Sequence, residues 1–422
     1  MKRHLLRVHA LFILVLISIP VFGQQIASPE DVGMSSERLE RMADVMDSYV
    51  ENEVIPGSVT IILRNGQIVY ERATGMRDRE AGDVMETDDM FRIASQTKAI
   101  VSTAVLILQE HGKLNIQEPV GKYLPEWMET TVAVEAEDGY EVVPANRSIT
   151  IRDLLTHTAG VGWGTGLAGT EWEAADKRFW YVADRPEGIR EFIRQVADLP
   201  MDAHPGDQFV YGLAIDVLGA LIEVVSGQPL DQFLGEHLLG PLGMVDTHFF
   251  IPTEKADRLA VVYGSTEDGL VRQTEEDGHW HGQGHYLEGP RATYGGGAGL
   301  VSTARDYARF LQMFLNDGEL NGVRVLSPTT IDLMLANHIG DKHGAGRGFG
   351  LAFGLTRDVG ANGQISSKGE FSWGGAYHSS YFASPEHDLV VVYLTQTMIS
   401  RSGVDDGAKL SAMAYQAIVD RN

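Results

Sequence analysis

The stretch Phe91–Ile100 reads FRIASQTKAI and places a serine, Ser95, three residues before a lysine, Lys98. Apolar residues at helical spacing follow Lys98 and predict a buried helix that ends at Gly112. At the start of such a helix, positions i and i+3 share one face, so the ammonium can approach the hydroxyl. A serine hydroxyl becomes a nucleophile when a neighbouring base takes its proton, and burial can lower the pKa of a lysine enough for that role. The pair therefore has the geometry of an activated nucleophile, although the same spacing also arises by chance.

Two further motifs supply groups that this chemistry needs. Tyr211 stands just before a predicted helix, Ile215–Ser226, where a phenol can point into a cleft and help to transfer a proton. Trp373, Gly374 and Gly375 open a strand-like run, in which a backbone without side chains can approach a substrate and offer N–H groups. Each motif also has a purely structural interpretation: Tyr211 could be a tyrosine packed in the core, and the two glycines could form a tight bend.

The two ends of the chain are rich in predicted strands. Near the N-terminus, Ser58–Arg64 and Gln67–Arg72 flank the pair Asn65-Gly66, which is the strongest short-range signal for a hairpin. Near the C-terminus, Ser379–Ser384 and Leu389–Thr395 repeat the pattern of two strands around a turn. The sequence therefore predicts an α/β fold of the α+β type, in which an antiparallel sheet is built from both chain ends and flanked by helices.

This pattern divides the chain into three parts. We expect a discontinuous sheet domain over residues 24–114 and 299–422, and a mostly helical, loop-rich insert over residues 115–298. Residues 1–23 have the pattern of a secretory signal peptide, because a basic start precedes the apolar run Ala10–Ile19 and small residues end at Gly23. The alternative is a membrane anchor, but the run is shorter than the roughly 20 residues that a spanning helix needs. We expect cleavage after Gly23 and a location in the bacterial periplasm or outside the cell.

Composition narrows the classes of function. The chain has 422 residues, no cysteine and a formal net charge of −24. The lack of cysteine excludes disulfides, thiolate metal sites and a cysteine nucleophile. The negative charge disfavours nucleic acid and anionic lipid as partners, so we expect a small-molecule partner and no membrane contact once the leader is removed.

Signals for other chemistries are weak. His279, His281 and His285 lie close together and could hold a metal, but no carboxylate ligand is clearly placed with them, so lining a pocket is the preferred interpretation. Gly164–Gly169 matches the glycine pattern of dinucleotide sites but follows no predicted strand. The sequence contains no GxSxG, HExxH or GxxxxGK[ST] motif. We therefore expect no metal and no organic cofactor.

Taken together, the motifs resemble those of the serine β-lactamase and penicillin-binding-protein superfamily. Within it, the chain is similar to class C β-lactamases and most similar to family VIII carboxylesterases. The resemblance covers nearly all of the chain after the leader and implies a β-lactamase/transpeptidase-like fold. Beyond Ser95, Lys98 and Tyr211, it includes ITIRDLLTHTAGV (Ile149–Val161), GGGAGLVSTARDYARFL (Gly295–Leu311) and WGGAYHSSYFASPEHDLVVV (Trp373–Val392).

The resemblance also implies roles for individual residues. Ser95 would be the acylated nucleophile, Lys98 its activating partner, and Tyr211 the base for acylation or the group that activates water for deacylation. Which of the two partners holds the proton at each step stays open. The backbone N–H groups of Ser95 and Ala376 would form the oxyanion hole. The remaining substrate-binding positions would be Trp373, Gly374 and Gly375.

Two positions depart from the lactamase pattern. Leu213 stands where the lactamases have an asparagine, and Trp373 stands where their third motif begins with lysine or histidine. Because Trp373 cannot pair with a carboxylate, a penicillin would lose a contact worth roughly 1.5 to 3 kcal/mol, unless Lys368 or Arg347 replaces the missing cation.

The expected function is that of a secreted serine hydrolase, a carboxylesterase that acts on short acyl esters through an acyl-serine intermediate. The alternatives within this class are a D-Ala-D-Ala peptidase and a weak class C-like β-lactamase, because a shared fold does not choose the substrate. An alternative of another class is a non-catalytic protein that binds cell-wall peptides.

Overall fold

The computed structural model describes residues 26–274 and 285–420. The expected signal peptide and two of the clustered histidines, His279 and His281, lie outside these residues. Within the two described ranges, no helix is both long enough and apolar enough to cross a membrane.

An antiparallel sheet of eight strands forms the centre of the structure, in the order β12-β13-β14-β15-β16-β1-β2-β3. The strands are β1 (Gly57–Arg64), β2 (Gln67–Asp78), β3 (Asp83–Val84), β4 (Phe91–Arg92), β5 (Thr131–Ala136), β6 (Gly139–Pro144), β7 (Tyr263–Thr266), β8 (Gly269–Arg272), β9 (Val301–Ser302), β10 (Glu319–Leu320), β11 (Val323–Arg324), β12 (Arg347–Phe349), β13 (Gly354–Thr356), β14 (Phe371–Gly374), β15 (Ser380–Ser384), β16 (Leu389–Thr395) and β17 (Thr397–Ile399).

The sheet joins the two ends of the chain, as the sequence predicts. β1 pairs with β16 from Ser58 opposite Thr395 to Arg64 opposite Leu389. The turn between β1 and β2 has positive φ at both central residues, 51° at Asn65 and 70° at Gly66, which matches the right-handed twist of a hairpin. The predicted fold class is confirmed.

Helices cover both faces of the sheet. They are α1 (Ser36–Glu51), α2 (Thr97–Glu110), α3 (Ile151–Leu155), α4 (Gly169–Ala174), α5 (Ile189–Val196), α6 (Ala214–Ser226), α7 (Leu230–Leu234), α8 (Gly240–Leu242), α9 (Ala304–Leu315), α10 (Pro328–Leu335), α11 (Val359–Asn362) and α12 (Asp406–Gln416).

The two faces have separate cores. Apolar residues of α1 and α12 pack with Ile62 and Val391 on one face, whereas residues of α2, α6 and α9 pack with Val59 and Ile61 on the other. Because both faces are covered, every residue of β1 and of β16 is buried. The continuous apolar runs of these strands follow from that position, since a strand buried on both faces has no side for polar residues.

The segment from residue 115 to residue 298 contains α3 to α8, and also two hairpins that the sequence pattern did not reveal, β5–β6 and β7–β8. β7 also pairs in parallel with β17, from Tyr263 opposite Thr397 to Ser265 opposite Ile399. This segment is therefore hydrogen-bonded to the C-terminal part of the chain. The division into a sheet domain and an insert stays a prediction.

Candidate active site

Ser95 lies in a tight turn between β4 and α2. The 3₁₀ turn Ala94–Gln96 leads directly into the first residue of α2. Its first residue, Ala94, has a positive φ of 43°, which is uncommon for a residue other than glycine. Ala94 and Gln96 are fully buried, and Ser95 between them is partly exposed. The Tyr307 hydroxyl also donates to the Gln96 carbonyl at 2.9 Å, so the turn is anchored and presents Ser95 outward.

Lys98 lies one helical turn further on and is 4% exposed. Its Nζ is 3.4 Å from Ser95 Oγ and donates to the carbonyl of Gly297 at 2.7 Å. The Nζ also lies 4.7 Å from the centre of the Tyr211 ring. The structure therefore brings together the three residues that the sequence analysis proposed as catalytic, Ser95, Lys98 and Tyr211.

Gly297, whose carbonyl binds Lys98, is itself held through its amide by a buried carboxyl group. Asp216 on α6 accepts a hydrogen bond from the Gly297 amide at 2.9 Å. A side chain at Gly297 would place its Cβ 2.3 Å from Asp216 Oδ2, so only glycine fits this approach. Burial raises the pKa of Asp216 to about 6, against the opposing effect of the nearby Lys98 charge. Asp216 was not predicted from the sequence, although its partner Gly297 belongs to the motif Gly295–Leu311.

Tyr211 is surrounded by aromatic residues, and its phenol oxygen accepts a hydrogen bond from one of them. Trp373 Nε1 donates to Tyr211 Oη at 2.9 Å, and the two ring centres are 5.3 Å apart. Trp163 meets the Tyr211 ring edge to face at 5.3 Å. Leu213, which replaces the lactamase asparagine, is fully buried in the core. The indole N–H of Trp373 thus points to the phenol.

His157, two residues after the end of α3, was also not predicted from the sequence. Its ring centre is 4.6 Å from that of Tyr211, and its side chain is 1% exposed. Among the described residues, neither ring nitrogen has a hydrogen-bond partner. Burial, together with the positive charge of Lys98, lowers the pKa of His157 well below its usual value. His157 therefore packs under Tyr211 as a neutral imidazole.

The predicted oxyanion hole lies where β14 ends. A Cβ on Gly375 would be 2.6 Å from the carbonyl oxygen of Ile93, so the absence of a side chain lets this backbone approach the turn that carries Ser95. Ala376 follows in an exposed turn. Within the described part of the chain, the amides of Ser95 and Ala376 donate to no protein oxygen. Their assignment as the oxyanion hole, and that of Trp373, Gly374 and Gly375 to substrate binding, stays a prediction.

The structure separates the two cations proposed as replacements for the lactamase lysine. Arg347 and Trp373 line the same cavity, of about 220 Å³, and Arg347 Nε donates to Asn362 Oδ1 at 3.0 Å. Lys368 lines a different cavity, beside Arg357. Of the two, Arg347 is the one that shares a cavity with Trp373.

Of the clustered histidines, only His285 belongs to the described residues, where its Nδ1 is 3.3 Å from the hydroxyl of Tyr181. Across residues 26–274 and 285–420, no group of three potential metal ligands comes together.

A family model for β-lactamases matches residues 42–414. The chain belongs to the β-lactamase family. The esterase EstB of Burkholderia gladioli is 34% identical over 376 residues, which cover 85% of this chain and 90% of EstB. A putative D-alanyl-D-alanine carboxypeptidase of Escherichia coli (strain K12) is 26% identical over 328 residues, 73% of this chain and 70% of the relative.

Among solved structures, EstCE1, described as a hydrolase with promiscuous acyltransferase activity, superposes with a TM-score of 0.76 at 27% identity. The match covers 91% of this chain and 99% of EstCE1. The predicted resemblance to the serine β-lactamase and penicillin-binding-protein superfamily is confirmed, and the chain is a serine hydrolase of this family.

Proposed function

We propose that this protein is an exported carboxylesterase that hydrolyses short, uncharged acyl esters through an acyl-enzyme on Ser95. The main support is the arrangement around one point: Lys98 Nζ lies 3.4 Å from Ser95 Oγ and 4.7 Å from the centre of the Tyr211 ring. The likeness to EstB supports ester hydrolysis, and the leader pattern of residues 1–23 supports export.

Acylation begins with attack of Ser95 Oγ on the ester carbonyl carbon. The serine proton passes to the pair formed by Lys98 and Tyr211, which can accept it as neutral amine with phenol or as ammonium with phenolate. Both forms contain the same number of protons, and which one reacts stays open. Collapse of the tetrahedral intermediate breaks the bond to the alcohol oxygen, which takes up the proton and leaves.

Deacylation repeats these steps with water in place of the serine. Water attacks the acyl carbon, its proton passes to the Lys98–Tyr211 pair, and the bond to Ser95 Oγ breaks as that oxygen regains a proton. In both half-reactions, negative charge develops on the carbonyl oxygen, and the amides of Ser95 and Ala376 would stabilise it. The cycle releases a carboxylic acid and an alcohol.

The surroundings of Trp373 support a preference for neutral esters. The indole has no charge, and its one N–H group donates to Tyr211 Oη. A substrate carboxylate placed against this ring would lose water without gaining a cation.

One observation favours a second candidate function, the D-Ala-D-Ala peptidase. Arg347 lines a cavity together with Trp373, so a carboxylate that reaches this cavity would meet a guanidinium. The putative carboxypeptidase among the relatives agrees with this alternative.

The test compares three substrates and one variant. Wild-type protein and Ser95→Ala are incubated with p-nitrophenyl butyrate, nitrocefin and a peptide ending in D-Ala-D-Ala, and the acyl-enzyme is sought by intact-mass spectrometry. We expect rapid turnover of the ester, slow or no turnover of the others, and loss of both turnover and the mass adduct in the folded variant. Faster turnover of the peptide would favour the second function. An adduct on Ser95 without turnover of any substrate would favour a binding protein.

A further inference from the structure

We propose that His378 is a positioning residue for the predicted oxyanion hole, because it ties the turn that carries the Ala376 amide to the buried carboxylate of Asp406. The inference rests on the proposed function, since it concerns the same acyl-transfer site. Its basis is a chain of hydrogen bonds from this turn to the start of α12.

The turn between β14 and β15 is closed by two backbone hydrogen bonds. Gly375 N donates to the Ser379 carbonyl at 2.8 Å, and His378 N donates to the Gly375 carbonyl at 3.0 Å. Ala376 is exposed in this turn. His378 has a φ of 68°, a left-handed conformation that favours glycine over a branched or bulky residue. A histidine in this conformation indicates that contacts of its side chain offset the conformational free energy that the strained backbone costs.

The side chain of His378 has a strong partner. Its Nε2 lies 2.6 Å from Oδ1 of Asp406, the first residue of α12, and Asp406 is fully buried. The hydroxyl of Tyr393 on β16 donates to the other carboxylate oxygen at 2.6 Å. Burial by itself would raise the pKa of Asp406, but the hydrogen bonds from His378 and Tyr393 bring it below its usual value. The carboxylate is therefore ionised at neutral pH, and its hydrogen bonds are charge-assisted.

The other side of the same turn is held by packing. Tyr377 is fully buried against Ala94 and Val262, and its carbonyl accepts a hydrogen bond from Thr397 N at 3.1 Å. Ala94 directly precedes Ser95, so this contact fixes one edge of the turn relative to the nucleophile. His378, the next residue, fixes the turn relative to α12. Ala376 immediately precedes these two anchored residues in the turn, and its amide direction depends on both.

An oxyanion-hole donor acts through its position, since it must lie about 2.7 to 3.1 Å from the oxygen as charge develops. Loss of the His378 anchor leaves the amide present but less well placed. The expected effect is therefore on the transition state, as a fall in kcat with little change in KM.

The main variant is His378→Gly, because glycine adopts the left-handed conformation without strain while the imidazole is lost. We expect kcat for p-nitrophenyl butyrate to fall by about tenfold or more, with KM within about twofold of the wild-type value. We also expect the affinity for n-butylboronic acid, which forms a tetrahedral adduct on the nucleophilic serine, to fall by a similar factor. Thermal unfolding checks that the variant is folded.

Two further variants and a control complete the design. Asp406→Asn keeps an acceptor oxygen but removes the negative charge, so it should reproduce part of the effect. The double variant His378→Gly/Asp406→Asn should be little worse than His378→Gly, because both changes act on one interaction. His378→Gln, whose amide nitrogen reaches as far as Nε2, should recover part of the loss. The control is Asp405→Asn, a neighbouring carboxylate that bonds to Tyr49 and Lys409 instead of the turn; it should keep wild-type kcat.

The outcomes separate this inference from the proposed function. Wild-type kcat and boronate affinity in folded His378→Gly would contradict the positioning role alone. Equal losses in Asp405→Asn and Asp406→Asn would also contradict it, because they would indicate a general effect on the start of α12. A wild-type protein that neither hydrolyses the ester nor forms an adduct on Ser95 would contradict the proposed function and, with it, this inference.

Discussion

At the scale of single residues, Lys98 connects distant parts of the chain. Its Nζ contacts Ser95 three residues before it and the Gly297 carbonyl 199 residues after it. Its second partner, Gly297, is held through its amide by Asp216, so the position of Lys98 Nζ depends on a carboxyl group that does not touch the nucleophile. Such a shared proton site behaves as one unit, and the loss of any member disables it.

We therefore predict that Lys98→Ala and Tyr211→Phe each lower kcat for p-nitrophenyl butyrate by about 10² or more, the scale on which a positioned proton-transfer group acts. The double variant should be little worse than either single variant. Circular dichroism confirms the fold of each protein before kcat is measured. If the two losses multiply in full, the residues serve separate steps, and a shared proton is the wrong description.

Trp373 allows a more selective test, because its indole N–H is the donor to Tyr211 Oη. Trp373→Phe keeps an aromatic ring and removes the donor, so the phenol loses the bond that orients it. We expect kcat to fall by about tenfold, since a neutral hydrogen bond contributes about 1 kcal/mol and its unpaired partner adds to the loss. The matched control is Trp163→Phe, because Trp163 also packs edge to face on Tyr211 at 5.3 Å. An equal loss in both variants would assign the effect to packing.

The sequence was sufficient to propose Ser95, Lys98, Tyr211 and Trp373, and the structure brings these four side chains together. The sequence did not reveal the importance of Asp216, His157 or His378. The four proposed residues belong to short motifs with characteristic spacing, which can be recognised from neighbouring residues in the sequence. The three residues that were not predicted matter because of contacts with residues far away in the sequence, such as the hydrogen bond between Asp216 and Gly297, which are 81 residues apart.

At the scale of elements, the same distinction holds. β1 and β2 were predictable because Asn65 and Gly66 specify their own turn, and β16 because its apolar run is long. The hairpins β5–β6 and β7–β8 were not predicted, since their strands have four to six residues and a short strand depends on its partner more than on intrinsic preference. Strands were thus predictable where a specific turn or a long apolar run marked them in the sequence.

Glu370 links β14 to α12 and allows a prediction at this scale. It immediately precedes β14 and accepts a hydrogen bond from Tyr415 on α12. Burial raises its pKa to about 7, although the hydrogen bond from Tyr415 opposes this shift. The folded state therefore binds this proton more tightly than the unfolded chain. The resulting stability is fully present below about pH 4.5, the ordinary range of a glutamate, and is lost as the pH rises through 7.

Glu370→Gln should remove this dependence, because glutamine stays neutral and can still accept from Tyr415. Relative to wild type, the variant should gain up to about 3 kcal/mol in free energy of unfolding between pH 5 and pH 8, because the pKa of Glu370 is raised from 4.5 to about 7 in the folded state. Urea unfolding at both pH values measures this difference. The exposed carboxylate Glu386 supplies the control, Glu386→Gln, which should follow the wild-type curve. Parallel curves for wild type and Glu370→Gln would show that this carboxylate does not link folding to pH.

At the scale of the whole molecule, the two ends of the chain complete one another. β1 and β16 are central neighbours in the sheet, and Ser35 N also donates to the carbonyl of Ala417 at 2.9 Å. The turn that carries Ala376 lies between β14 and β15, and Ser95 follows β4, so the site is assembled only when both ends are in place. The strand patterns at the two ends of the sequence therefore belong to one sheet, because β1 and β16 pair with each other.

The net charge of −24 is the second property of the whole molecule that bears on function. A strongly negative protein repels anionic substrates over distances comparable with the Debye length, about 10 Å at 0.1 M salt, and added salt screens this repulsion. We therefore predict that kcat/KM for the monoanionic ester mono-p-nitrophenyl glutarate rises severalfold between 20 and 500 mM NaCl, whereas kcat/KM for uncharged p-nitrophenyl butyrate stays nearly constant. The two esters share a leaving group, so their ratio isolates the effect of charge. If salt instead lowers kcat/KM for the anionic ester, a local cation outweighs the net charge. Arg347→Ala then tests whether that cation is Arg347, which lines the cavity next to Trp373.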